Sequence, residues 1–576
     1  MPHSRKWSQG RLGRAAAVSF CCFVAPGLVL AESLVLRGGI VHTMDSVGSV
    51  HEALVIRDGR IAYVGSDSGA AAFEPTAERV VDLGGRAVFP GFIDTHIHTM
   101  DTLPLMEGAM LSPSMSADEV LDALAAHAAA HPEQNPVLGS GFLARAFGLQ
   151  GPTAVELDEV IPDRPALIID EGGHTAWANS MALAAANISA GTPDPVPGAH
   201  FFQRDEEGNP TGWLVEGGAI EPVMTALAVV SRETLAARAP RFFRDMSAVG
   251  LTAAFDAGMI ETDEWGREVA AALAAAGELP VRLVASLYVN RASDLDAALD
   301  DLQALQGKYN DPFFSVNTLK LSLDGTVEAK TAVTLQPYEK PEGHRATPLL
   351  PPLEAEAAVV AAAALNIDLH LHAIGDGAVR QALDAIAAAR AAHRDTDSRF
   401  TICHIEVVDP ADVPRFAELN AVAQTTPTWF EYDYLALEFL GRERFQHLYP
   451  LASIRRHGAR VTLGSDYPVS WIGKDALNPL FNIEMAVTRQ AAGDPGYPIQ
   501  ARVAERLSVD QAIRGHTADA AWQLGLEDEI GTLERGKQAD LVILSENPYT
   551  TVVHNIHNIA VDQTYSAGRL VYERAP

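Results

Sequence analysis

Cysteine is scarce. The 576-residue chain has three, and Cys21 and Cys22 fall in a segment that reads as a removable leader. The remaining chain keeps only Cys403 and cannot close an internal disulfide, which excludes a disulfide scaffold even for an exported protein. Basic residues are also few, 43 Lys and Arg against 74 Asp and Glu, for a formal charge of −31. Such a surface repels nucleic acid and anionic membranes and leaves a small molecule as the expected partner. Beyond the leader no run is apolar enough to cross a bilayer, and no repeat period points to a solenoid. With 48% apolar and 20% charged residues, disorder is excluded too.

The leader has a basic start (RKWSQGRLGR), an apolar middle (AAAVSFCCFVAPGLVLA) and small residues before Glu32. This pattern predicts a signal peptide cut after Ala31 and a periplasmic or secreted protein. Pro26 and Gly27 interrupt the apolar run and argue against an anchor. Losing Arg5, Lys6, Arg11 and Arg14 makes the mature chain more acidic still.

From residue 32 to 88 the chain reads as short strands with DG and GG turns, and residues 525–576 have the same texture. The two ends are expected to pair into one β-sandwich. Between them, residues 89–524 alternate apolar runs with Ala-rich helical stretches such as Leu121 to Ala130 and Ala382 to Ala392. The runs are AVFPGFIDTHIH, GLTAAFDAG, VRLVASLYV, NTLKLSLDG, IDLHLHAIGD, FTICHIE, AVAQTTPTW and RVTLGSDYPV. Eight of them predict an α/β fold, a (β/α)₈ barrel whose reactive groups gather at the C-terminal ends of its strands. The first gap is too long for one helix, so an inserted subdomain is expected at about 101–241.

His96 and His98 stand one residue apart at the end of the first run, so both imidazoles share a strand face while Ile97 takes the other. Lys320, His372, His404 and Asp466 stand near the ends of later runs and point to the same mouth. Imidazole and carboxylate donors together suit a divalent ion such as zinc, one or two of them, in an open catalytic site. An ammonium beside a dication is unfavourable. A desolvated, uncharged Lys320 could instead take up carbon dioxide and present a carbamate; the alternative is an ion pair with Asp324 on the same strand face.

The motifs FPGFIDTHIH, EGGHTAWANS, KLSLDG with TAVTLQPY, HAIGDGAV, GSDYPV and GTLERGKQADLVIL give the chain a resemblance. It resembles the metal-dependent amidohydrolase superfamily, within it the amidohydrolase 3 branch that includes N-substituted formamide deformylase. The resemblance implies the barrel and sandwich architecture and metal ligation by His96, His98, carbamylated Lys320, His372, His404 and Asp466. It also implies that the insert closes over the site and lends His174 to substrate or oxyanion. Around the sixth strand the chain departs from the branch: Cys403 precedes His404 where an acidic residue is common, and Ile405 and Glu406 follow where Ala-Gln is common. Phe142 stands where relatives often have tryptophan, a position expected on the substrate wall.

Asp466 is expected to serve as general acid and base beside its role as ligand. Trp177, Trp213 and Trp429 are candidates for an apolar pocket, and Asp324 and Asp376 for substrate contacts. His370 is expected one layer deeper in the barrel, Cys403 facing the outer helices, and His554 and His557 in solvent. The expected activity is metal-dependent hydrolysis of a carbon–nitrogen bond in an amide, N-acyl or N-formyl substrate. Ester, lactone or cyclic-amide hydrolysis at the same site, and a non-catalytic binding or regulatory role, are the alternatives; a homodimer is compatible with all three.

Overall fold

The computed structural model describes residues 33–575 apart from positions 432 and 471. The expected signal peptide, residues 1–31, lies outside the described residues. Continuous apolar runs buried on both sides form the central sheet, as parallel strands covered by helices require. Its strands are β1 (Phe92–Ile97), β2 (Leu251–Asp256), β3 (Arg282–Val289), β4 (Phe314–Ser322), β5 (Asp368–Ala373), β6 (Phe400–His404), β7 (Ala421–Thr425) and β8 (Val461–Leu463). Each pairs in parallel with the next, and they coincide with the eight apolar runs. Past the short β8 the barrel closes through backbone bonds from Asp466 N–H to His96 O, 2.7 Å, and from His98 N–H to Tyr467 O, 3.0 Å.

Alternation sorts the side chains. On β4 and β5, Leu319, Leu321, Leu369, Leu371 and Ala373 face the helices and join the main core, while Lys320, His370 and His372 face the barrel interior. Helix Asp376–Ala392 covers this sheet with Val379, Ala382, Leu383 and Ile386, the i, i+3, i+4, i+7 stripe of an amphipathic helix. Burying the valine, leucine and isoleucine of this stripe contributes about 1.5–3 kcal/mol each.

Between β1 and β2 lies an inserted six-stranded sheet in the order Phe201–Arg204, Pro210–Val215, Thr175–Ala178, Ala166–Asp170, Val137–Phe142, Ala109–Met110. Both of its faces are covered. Leu167, Ala176 and Ala178 face one core, whereas Ala166, Ile168, Trp177 and Phe142 face another, shared with helix Ala117–Ala130. A Ser116–Glu119 capping box starts that helix.

The two chain ends build the flanking sheets together. Leu541–Leu544 runs antiparallel to Ala87–Pro90, and Leu34, Leu36, Leu54 and Ile56 pack on Leu541, Ile543 and Tyr565. No described helix is long and apolar enough to cross a membrane.

The sandwich is tied to the barrel floor by a buried ion pair, Arg282 Nε to Asp540 Oδ2 at 3.1 Å. Asp540 also accepts the Ala567 N–H, and the Arg282 guanidinium lies over the Phe313 ring. Replacing Arg282 by Met would leave the Asp540 carboxylate buried and unpaired. Arg282→Met is expected to cost about 3–5 kcal/mol in denaturant unfolding; a loss under about 1 kcal/mol would mean that the pair does not join the two units.

Candidate metal centre and substrate cavity

Asp94, His96 and His98 alternate with outward-facing residues of β1 and its continuation, and each is held from below. Asp94 accepts the N–H groups of His96 and Ser465. His98 Nδ1 lies 2.8 Å from the Gly258 carbonyl. A carbonyl only accepts, so Nδ1 carries the proton and the lone pair is at Nε2, 3.5 Å from Asp466 Oδ1. His96 Nδ1 meets His370 Nε2 at 3.0 Å, and its own Nε2 stands 3.3 Å from Asp466 Oδ1. His370 is therefore the partner that orients His96, from one layer deeper as expected.

Asp466 reaches this point because Gly464 has no side chain: a Cβ there would meet His96 N at 2.6 Å. Asp466 then takes φ 51°, a left-handed conformation that Asp and Asn tolerate better than most residues.

His404 corrects the strand reading. Phe400 and Ile402 face the outer core, so alternation along β6 sends Cys403 inward and would send His404 out. Left-handed backbone at His404 and Ile405, φ 70° and 46°, turns the imidazole back to the mouth. Cys403 thus faces the interior and not the outer helices, and its Sγ receives the Lys320 Nζ donor at 3.1 Å. Burial pushes the Cys403 thiol up to about 12, so it stays protonated.

His404 Nδ1 lies 3.5 Å from Asp466 Oδ2, and its ring is 4.7 Å from that of His96 and 4.3 Å from that of His372. His372 Nε2 turns to the Gly325 carbonyl at 3.4 Å, leaving Nδ1 with the lone pair. Burial holds His96, His372 and His404 well below the usual histidine range, with the charges of Lys320, His174 and neighbouring imidazoles adding to the effect. For His98 burial works the same way, but the negative charges of Asp466 and Asp256 prevail and raise it.

Three atoms at this point are buried without any hydrogen-bond partner: His96 Nε2, His404 Nδ1 and Asp466 Oδ1. Those three residues offer donor atoms within 4.8 Å of one another. Neutral imidazoles and a carboxylate aimed at one spot, with nothing there to donate to them, fit a divalent cation of the zinc type.

Above this floor is a cavity of about 160 Å³ that His96, His98, Lys320, His372, His404 and Asp466 all line, and so does His174. His174 comes from the insert, its ring 5.3 Å from that of His372. Its Nδ1 bonds Glu216 Oε2 at 2.7 Å, and although burial opposes the charge, Glu216 lifts the imidazole to about 9. Glu216 is itself fixed by Thr331 Oγ1 at 2.7 Å. Ile169, Ile220 and Met224 supply apolar walls. Trp429 stacks on His404 at 5.4 Å with 7° between the planes.

The other sequence candidates lie elsewhere. Trp177 and Phe142 are buried in the insert's own core, Trp177 Nε1 bonded to Thr153 O at 2.7 Å, so neither is on the cavity wall. Trp213 packs against Gly151 and under Lys330. Asp324 accepts the N–H groups of Val333, Ile374 and Gly375 and does not pair with Lys320; it pins the loops after β4 and β5 and faces no substrate space. Asp376 accepts Leu335 N–H at 2.8 Å and holds the same loop. His557 bonds Glu484 at 2.7 Å and His554 faces Gln490, so the pair is not solvated.

An acidic chamber adjoins the cavity across Gly172, Thr326, Ile374, Trp429 and Val469. Glu171, Glu328, Glu406 and Asp433 line it. Sequence reading missed these residues and Glu216. The one available signal was the repeated Glu-Gly-Gly at 171–173 and 216–218.

A sequence model of the amidohydrolase family matches residues 79–572. The chain is 34% identical over 435 residues to the exoenzymes regulatory protein AepA of Pectobacterium carotovorum subsp. carotovorum, covering 73% of this chain and 91% of that one. It is 30% identical over 575 residues to the N-substituted formamide deformylase of Arthrobacter pascens, covering 94% and 99%. An uncharacterized metal-dependent hydrolase from Pyrococcus horikoshii shares the fold with a TM-score of 0.71 at 23% identity, over 90% of this chain and 99% of that one. By this match across most of its length, the chain belongs to the amidohydrolase family.

Proposed function

We propose that the protein hydrolyses a carbon–nitrogen bond of an amide, N-acyl or N-formyl substrate. One observation carries the reading: three unpartnered, buried donor atoms converge on the floor of a cavity that a charged histidine overlooks. His96, His98, His372, His404 and Asp466 would hold the metal, with Lys320 as its carbamate a further ligand. When bound, a divalent ion, zinc by the chemistry of these donors, polarises a carbonyl and lowers the pKa of water to about 7.

The chain's own groups do the rest. Asp466 takes the proton of the hydrolytic water at its carboxylate and returns it to the leaving nitrogen. The His174 imidazolium, oriented by Glu216, donates from Nε2 to the oxygen that becomes negative as the water attacks. Ile169, Ile220 and Met224 surround the substrate's apolar part and exclude bulk water. Carbamylation would form an N–C bond between Lys320 Nζ and carbon dioxide, the amine giving up a proton. Crystals grown with bicarbonate should show density branching beyond Nζ; a bare ammonium against Cys403 would remove the carbamate.

The relative named for exoenzyme regulation supports a second reading, a regulatory protein that binds without turnover. A panel of N-formyl amines, N-acyl amines and lactones, with and without chelator, separates the readings. Chelator-sensitive release of amine is expected; binding of the whole panel with no product would favour the regulatory role, and lactone turnover alone would favour the ester-type alternative. We extend the proposal to export, on the leader pattern of residues 1–31. The mature protein should begin at Glu32, and an intact Met1 in the functional pool would rule export out.

Asp466→Asn suits the left-handed backbone at that position but cannot carry the proton. It should fold normally and lose about 10²–10⁴-fold in kcat; hydrolysis within a few-fold of wild type would take the proton role from Asp466. Glu216→Gln removes what raises His174, so the imidazolium is lost at lower pH. The alkaline limb of kcat/KM should move toward neutrality, while an unmoved limb would show that His174 is not the titrating donor.

A further inference from the structure

The acidic chamber beside the metal centre is not used by this chemistry. Its volume is about 220 Å³. Carboxylate oxygens of Glu328, Glu406 and Asp433 lie within 4.8 Å of one another. Glu171 and Glu406 are only 4% and 3% exposed, and Glu171 Oε2 and Glu406 Oε1 have no hydrogen-bond partner. No Lys, Arg or His is among the described residues that line the chamber. Buried carboxylates without donors are costly, and a cluster of them more so. Trp429 and Tyr449 supply aromatic surface beside the acids.

We propose that this chamber is a second substrate subsite and takes an organic cation with N–H donors, an alkylammonium or alkylguanidinium group. The orphaned oxygens accept its N–H groups, and the aromatic walls accept its charge and apolar stem. A hydrated divalent ion fits less well, because it needs six or more oxygens around it, whereas Leu143, Ile374, Trp429, Leu435 and Val469 take up part of the wall between the acids. Because the chamber opens onto the metal cavity, the substrate becomes an amide with one apolar end and one cationic end. The link to turnover rests on the amide-hydrolysis reading, but the binding does not.

The test is calorimetric titration of the full-length, metal-loaded protein with n-butylguanidinium and with n-butylurea, its uncharged isostere. The guanidinium should bind at least about tenfold more tightly, and Glu406→Gln and Glu171→Gln should each weaken it by about tenfold or more. Without ligand, Glu406→Gln should melt no lower than wild type, since a neutral amide replaces an acid crowded by Glu328 and Asp433; a purely structural glutamate would leave a destabilised variant. Equal binding of the urea, unchanged binding in both variants, or binding of Mg²⁺ or Ca²⁺ in place of the guanidinium would overturn the proposal. In turnover, N-formyl-1,4-diaminobutane should exceed N-formylpentylamine in kcat/KM by about tenfold or more, and a ratio near one would break the link to catalysis. If neither amide is hydrolysed while the guanidinium binds, the amide reading fails and the cation subsite stands.

Discussion

Burying an imidazole nitrogen or a carboxylate oxygen without a hydrogen bond costs about 1–3 kcal/mol, and the barrel mouth holds three such atoms pointed at one another. Much of the surrounding structure keeps them there. The Gly258 carbonyl fixes which nitrogen of His98 carries the proton, and His370 orients the His96 ring. Asp94 ties β1 to the segment that brings Asp466. Left-handed backbone at His404 and Asp466, each costing about 1–3 kcal/mol for a residue other than glycine, is retained because the closed barrel leaves those side chains no other course. A cation at the focus would satisfy all three atoms at once.

The same economy of elements shapes the cavity above. The insert between β1 and β2 carries its own two cores, so it is a folded unit and not a loose loop. It contributes a charged pair, His174 and Glu216, braced by Thr331 of the loop after β4. Asp324 and Asp376 fasten that loop to β5 and to the helix that follows. The loops that face the substrate are therefore bound to one another by buried carboxylates that accept backbone N–H groups.

Much of this was legible in the sequence because it depends on short periods. Eight apolar runs gave eight strands, and the spacing of His96 and His98 put both on one face. What escaped the sequence depends on backbone that breaks those periods or on partners far away in the chain. Alternation assigned Cys403 to the outside only because His404 was taken as inward, and the left-handed turn at His404 allows both to reach the interior. Trp177 sits in a fully buried strand, where sequence does not say which of two cores receives it. Asp324 and Asp376 looked like substrate groups, but turn to backbone N–H groups that no spacing reveals. Glu171, Glu328, Glu406 and Asp433 come from four separate loops, and only the fold brings them together.

The most direct measurement is anomalous X-ray diffraction from crystals of the metal-loaded protein, collected on both sides of the zinc absorption edge. A peak within about 2.0–2.2 Å of His96 Nε2 and an oxygen of Asp466, with His404 also in reach, is the predicted result. A map with no anomalous density at the barrel mouth, or with the ion bound only at surface carboxylates, would contradict the account.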